Sequence, residues 1–163
     1  KRVIDLLKLL EIEHLALNNP TELSGGQRQR VAFASIIVMD PDILVIDEPT
    51  SQLDPEGSRR IFDIIETLKT RNNTIIHVEH KINMIAMYCD AVLVMKDGKL
   101  VRSGSAQEVL SDVSLPSLGV RLPEAAQLAY DLADKGMPLS GIPITDEACC
   151  RMIQERWGIH GGN

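Results

Sequence analysis

No run of apolar residues in this 163-residue chain approaches the roughly 20 needed to cross a bilayer, so the chain is not expected to span a membrane. Cysteine is scarce. Cys89, Cys149 and Cys150 form an odd set with two neighbours side by side, a poor disulfide framework that fits a reducing cytosol. His160 is too far from them to give ligand-like clustering, and no metal role is expected for the thiols. Positive charge is not in excess either: 17 Lys and Arg face 23 Asp and Glu, for a net charge of −6, which argues against a general nucleic-acid surface. The opening Lys1-Arg2-Val3-Ile4-Asp5 reads as helix, with neither a signal-peptide apolar core nor an initiating Met, and the expectation is a fragment of a longer protein. Internal repeats and low-complexity tracts are missing. What is present is a 44% hydrophobic composition, enough for one domain with a real core.

The apolar spacing predicts helix over Val3 to Leu10, ended by Asn18-Asn19-Pro20. Ser24 can cap a helix from about Gly26 to Val38, stopped by Met39-Asp40-Pro41. Ile43 to Asp47 is a short continuous apolar run, the pattern of a strand buried on both faces. Pro55 opens an amphipathic helix with Ile61, Ile64, Ile65 and Leu68 on one face, and Asn72-Asn73 breaks it. Thr74 to Val78 is a second buried strand, Lys81 to Tyr88 a helix, and Ala91 to Met95 a third strand. Asp97-Gly98 is a hairpin dipeptide leading into Leu100-Val101. This alternation predicts an α/β layered domain with a largely parallel sheet over residues 1–110. Residues 111–163 read as a small helical appendage: helix from Glu124 to Lys135, a Pro/Gly connector from Gly136 to Pro143, and a last helix capped by Thr145 and running to about Trp157.

Two segments carry chemistry. In Leu23-Ser24-Gly25-Gly26-Gln27-Arg28-Gln29-Arg30, paired glycines let backbone approach a ligand without Cβ obstruction, at a helix start that offers unpaired N–H groups and partial positive charge. That combination binds phosphate. Ser24 adds a hydroxyl, and Arg28 and Arg30 add charge that opposes the helix dipole, so something other than helix stability favours them. The competing reading of Ser-Gly-Gly alone is an ordinary Ser-capped helix after a glycine turn.

The second segment, Ile43-Leu44-Val45-Ile46-Asp47-Glu48-Pro49-Thr50 followed by Leu53-Asp54, puts two carboxylates at a strand's end, where open α/β sheets bind ligands. Asp47 suits Mg²⁺, which takes oxygen ligands and keeps several waters, and Glu48 can polarise an attacking water. An isolated Asp-Glu after an apolar run is more often a solvated loop. His80 follows the neighbouring strand at the level of Asp47 and Glu48, where it can hydrogen-bond a terminal phosphate; His77 lies within that strand and is expected to pack locally.

Together these segments resemble the ABC-type ATPases, whose LSGGQ signature and Walker B motif stand in this order at about this separation. The resemblance covers roughly residues 1–110, the C-terminal two-thirds of such a nucleotide-binding domain, and implies an incomplete P-loop NTPase fold. It implies that Ser24, Gly25, Gly26 and Gln27 contact ATP held by an opposing subunit in a head-to-tail dimer. It further implies that Asp47 holds Mg²⁺ through water, Glu48 is the catalytic base, Asp54 belongs to the D-loop at the dimer seam, and His80 is the switch histidine. Gln52 stands where Ala is usual, and Glu79 where Thr is common before that histidine. In the tail, Leu118-Gly119-Val120-Arg121-Leu122-Pro123-Glu124 and Gly141-Ile142-Pro143-Ile144-Thr145 resemble extensions of energy-coupling-factor ATPases, which import vitamins or metal ions such as cobalt. That family docks on an integral membrane coupling protein, which implies a peripheral position at the cytoplasmic face of the cell membrane.

The family's phosphate-binding loop does not occur in these residues. The one Gly-Lys pair, Gly98-Lys99, has Leu93 where the motif needs Gly and Leu100 where it needs Ser or Thr. The chain alone is therefore expected to bind ATP weakly and hydrolyse almost none. It is also expected to expose strand edges and to allow strand exchange between copies. Two alternatives stand beside the importer subunit: a non-transport ABC ATPase acting on chromosomes or ribosomes, and a non-catalytic dimerisation module.

Overall fold

A computed structural model describes residues 2–50, 53–69 and 73–158. Lys1, Gln52, Asn72, His160 and the side chain of Leu68 lie outside the described residues. The chain divides into two compact units, Lys1–His80 and Lys81–Asn163.

The first unit opens with α1 (Arg2–Leu9) and two short 3₁₀ turns, Glu13–Leu15 and Pro20–Glu22, the second capped by Asn19. Next comes α2 (Gly25–Ile37), one residue earlier at each end than the spacing suggests. It starts where it does because Ser24 and Gln27 form a reciprocal capping box: the Gln27 amide donates to Ser24 Oγ (3.3 Å), and the Ser24 amide to Gln27 Oε1 (2.9 Å). Pro41 follows, and β1 (Ile43–Asp47) leads through α3 (Pro55–Lys69) to β2 (Thr74–Val78). A helical crossover permits parallel pairing, and β1 and β2 are parallel in register, from Ile43 beside Thr74 to Asp47 beside Val78.

On one face of this pair Leu44 is buried and Ile46, Ile75 and His77 are partly so. The α3 residues Ile61, Phe62, Ile64 and Ile65 are buried, and the Phe62 ring meets His77 edge-on at 5.4 Å. The other face departs from the expectation of strands buried on both sides. Ile43, Val45, Ile76 and Val78 are exposed, Val45 by 66%. Apolar residues occupy both sides of the strands, but within this unit the described residues cover only one.

In the second unit α4 (Ile82–Tyr88) precedes β3 (Ala91–Lys96) and β4 (Lys99–Ser105). These strands are antiparallel, as a two-residue turn requires, and Asp97 and Gly98 both hold positive φ (51° and 73°). A Ser105–Glu108 capping box starts α5 (Ala106–Leu110), a short helix that periodicity does not reveal. Then come α6 (Glu124–Asp134) and α7 (Asp146–Trp157), the latter capped by Thr145 as its sequence predicts. One core joins Val92 and Val94 of β3, Val109 and Leu110 of α5, Ala126 of α6, and Leu115, Leu122 and Ile144. Contacts thus divide the chain at residue 80, whereas the sequence pattern drew its boundary at 110. The reason is that Leu115, Leu122, Ala126 and Ile144 share one core with Val92 and Val94 of the β3–β4 hairpin. Among the described residues no helix is long and apolar enough to cross a membrane.

Candidate functional site

Every predicted site residue lies in the first unit. They fall into two groups. Ser24, Gly26, Gln27 and Arg30 from the start of α2 line an open cleft of about 420 Å³ together with Asp54 and Glu56 at the start of α3. Ser24 and Gln27 face it while bound to each other in the capping box, which satisfies part of the helix tip's own hydrogen bonding. Asp54 caps α3, accepting the Gly57 amide at 2.7 Å.

Each of the two arginines also bonds a backbone carbonyl that precedes α2. Arg28 Nη1 donates to the Leu23 carbonyl (2.5 Å) and Arg30 Nη1 to the Leu10 carbonyl (3.4 Å). Both guanidinium groups tie α2 to the segment before it. That gives local structure a reason for basic residues in a first turn where the dipole disfavours them.

The second group sits at the carboxyl ends of β1 and β2. Asp47, the last residue of β1, is exposed. Glu48 continues the ladder through its amide, which donates to the Val78 carbonyl (3.0 Å). It then turns sharply, with φ at +45°. For a residue with a Cβ that left-handed conformation costs on the order of 1 kcal/mol, and it rotates Glu48 out of the strand's alternation. The turn is gripped from α2. Gln29 Nε2 donates to the carbonyls of Glu48 (3.3 Å) and Pro49 (2.6 Å). Glu48 Oε1 lies 2.9 Å from His80 Nε2, with the imidazole 79% exposed. A carboxylate and an imidazole meet from adjacent strands at the edge where ligands bind in α/β sheets. Such a pair can accept a proton from water and hydrogen-bond an oxyanion.

His77 points elsewhere. Its imidazole packs on Phe62, and burial pushes its pKa below the ordinary value, offset in part by Glu79 and reinforced by Lys69. Sequence reasoning attached no role to Gln29 or Thr50, and read Glu79 as a departure from Thr that adds negative charge near the phosphate. Yet Thr50 Oγ1 donates to Glu79 Oε2 and the His80 amide to Glu79 Oε1, each at 2.9 Å. Among the described residues no cluster of three His, Cys, Asp or Glu side chains forms a metal cage. Asp47 still fits Mg²⁺, because an exposed carboxylate suffices for an ion that keeps most of its waters.

The layered α/β fold and the acidic strand ends have counterparts in known proteins: the fold is that of the ATPase cassettes of ABC transporters. The ABC transporter family matches residues 1–51. More particularly, the chain resembles ATP-binding subunits of energy-coupling-factor transporters. It is 43% identical over 136 residues to the energy-coupling factor transporter ATP-binding protein EcfA2 of Streptococcus sanguinis (strain SK36), a match covering 83% of this chain and 49% of that protein. Among solved structures it resembles cbiO1 from Clostridium perfringens, part of the ABC transporter complex cbiONQ (39% identity, TM-score 0.59, 79% of this chain and 52% of that one). It also resembles a dimeric ATP-binding cassette in a post-hydrolysis state bound to ADP and Pi (32% identity, TM-score 0.59, 64% of this chain and 46% of that one). The chain spans about half the length of the curated relatives it matches.

Proposed function

We propose that these residues belong to the ATP-hydrolysing subunit of an importer of the energy-coupling-factor type. The observation that carries this reading is the Glu48–His80 contact of 2.9 Å at the ends of two parallel strands, with Asp47 exposed beside it. In the reaction a water oxygen attacks the γ-phosphorus of ATP, the bond to the β-phosphate oxygen breaks, and ADP leaves. Glu48 accepts the water's proton, and the His80 imidazole hydrogen-bonds an oxygen of the transferred phosphoryl group. Asp47 would hold Mg²⁺ through water, and the ion would supply positive charge against the phosphates.

Ser24, Gly26, Gln27 and Asp54 line a cleft to which Asp47 and Glu48 do not contribute. This suits a head-to-tail dimer in which the tip of one copy meets ATP bound to a second ATPase subunit. The dimeric cassette bound to ADP and Pi supports pairing of two such subunits by likeness. An integral membrane protein is the further partner, with the subunit peripheral at the cytoplasmic face, and the tail's resemblance to energy-coupling-factor ATPases favours a metal ion such as cobalt or a vitamin as cargo. Since the phosphate-binding loop is not among these 163 residues, turnover belongs to a parent protein that carries one, and the chain by itself hydrolyses almost no ATP.

The test is ATP turnover by the full-length parent with Glu48→Gln. Loss of a positioned general base lowers kcat on the order of 10²–10⁴-fold. Unchanged turnover removes Glu48 from this role.

A further inference from the structure

We infer that Glu79 is a positioning residue for His80, acting as a two-ended strut between the strand ends. Glu79 follows β2 directly, and each of its carboxylate oxygens is engaged in a different direction. Oε2 accepts the hydroxyl of Thr50, which is fully buried just beyond β1, while Oε1 accepts the backbone amide of His80. The backbone ladder between the strands ends one step earlier, at the Glu48 amide and the Val78 carbonyl. Past that point regular pairing no longer dictates where His80 lies.

The strut extends the pairing by side chain. It ties the residue after Pro49 to the amide that begins His80, and so sets the distance across which the imidazole reaches Glu48. A ring that is 79% exposed has little packing to hold it on a carboxylate, and its bonded backbone is the available restraint. Thr50 suits the other end because a buried hydroxyl must find an acceptor, and a carboxylate is a strong one. A threonine at position 79 would be too short to serve both partners at once, which gives the departure at this position a physical purpose.

The effect on turnover rests on the ATPase reading above; the geometric effect does not. The test therefore has two arms. In the 163-residue chain, Glu79→Ala should speed hydrogen exchange of the His80 amide about tenfold or more and shift the His80 ring ¹⁵N signals away from a hydrogen-bonded Nε2. Thr50→Val, nearly isosteric in its buried site, should give a smaller change of the same kind, and it serves should Glu79→Ala not fold. Glu79→Gln, which keeps one acceptor oxygen, should fall between wild type and Glu79→Ala. In the full-length protein, Glu79→Ala should lower kcat about tenfold with KM for ATP unchanged, and Glu79→Gln should recover part of it. Unchanged exchange and ring signals in both Glu79→Ala and Thr50→Val overturn the inference. Turnover that survives both Glu48→Gln and His80→Ala overturns the ATPase reading instead and leaves the exchange result standing.

Discussion

Acidification through the ordinary histidine range should destabilise the first unit, and His77 is the reason. Its imidazole lies in β2 against the edge of Phe62, at 5.4 Å between ring centroids. Burial is the largest cause of its depressed pKa; the Glu79 charge pulls it back up, and Lys69 pushes it further down. The sign follows from linkage. Above the unfolded value of 6.5 the imidazole is neutral in both states, and stability is at its full level. Below 6.5 the unfolded chain binds the proton first, so stability falls with pH until the folded-state pKa is passed. One proton limits the slope to about 1.4 kcal/mol per pH unit. Urea midpoints measured from about pH 7.5 to about pH 5.5 should decline, and His77→Gln should flatten the decline. Glu108 and Asp112, held below the usual carboxylate values by hydrogen bonds from Ser105 and Ser114 respectively, lose their contribution only at more acid pH, so they do not enter this window. Parent and His77→Gln chains with the same pH dependence would refute the reasoning.

Gln29→Ala removes both donors to the Glu48–Pro49 turn and should cost about 1–2 kcal/mol. Gln29→Glu should cost more, because it sets a carboxylate against two carbonyls; equal denaturation midpoints for parent and both variants would mean that the grip on the turn does not form in solution. Phe62 is fully buried, and Phe62→Ala should cost about 3–5 kcal/mol by chemical denaturation. A loss under about 1 kcal/mol would place Phe62 outside the core.

The elements legible in the sequence are those set by local rules. Ser24, Thr145 and Asp97-Gly98 each act through a hydrogen bond or dihedral angle inside a few residues, and each stands where its residue type foretells. The strand pair shows where local reading stops. Ile43-Leu44-Val45-Ile46 is apolar on both sides, and that pattern reports the environment the strand is suited to, covered front and back as parallel sheets are. The described residues of the unit cover one side, so Val45 and Val78 stay exposed while Leu44 is buried. Leu115, Leu122 and Ile144 share a core with β3 for a related reason. Composition says nothing about which neighbour a Leu115 or Ile144 will find, and both join the core that holds Val92 and Val94 of β3.

The same division runs through the candidate site. Asp47, Glu48 and His80 were visible because strand ends are where sequence pattern changes, and chemistry in α/β sheets collects there. Their geometry was not visible, because it depends on side chains far away in the chain. Gln29 reaches a turn that starts 19 residues later, and Thr50 reaches Glu79 across 29. Neither bond has a periodic signature, since periodicity records which face of an element is buried and not what a polar tip touches. The left-handed backbone at Glu48 adds a conformation that no glycine announces. A side chain that leaves the strand's alternation by way of a strained residue must be held there by bonds from elsewhere, and α2 supplies two of them. The candidate residues are thus legible at the level of type, while their placement is a tertiary property carried by residues that look ordinary in sequence.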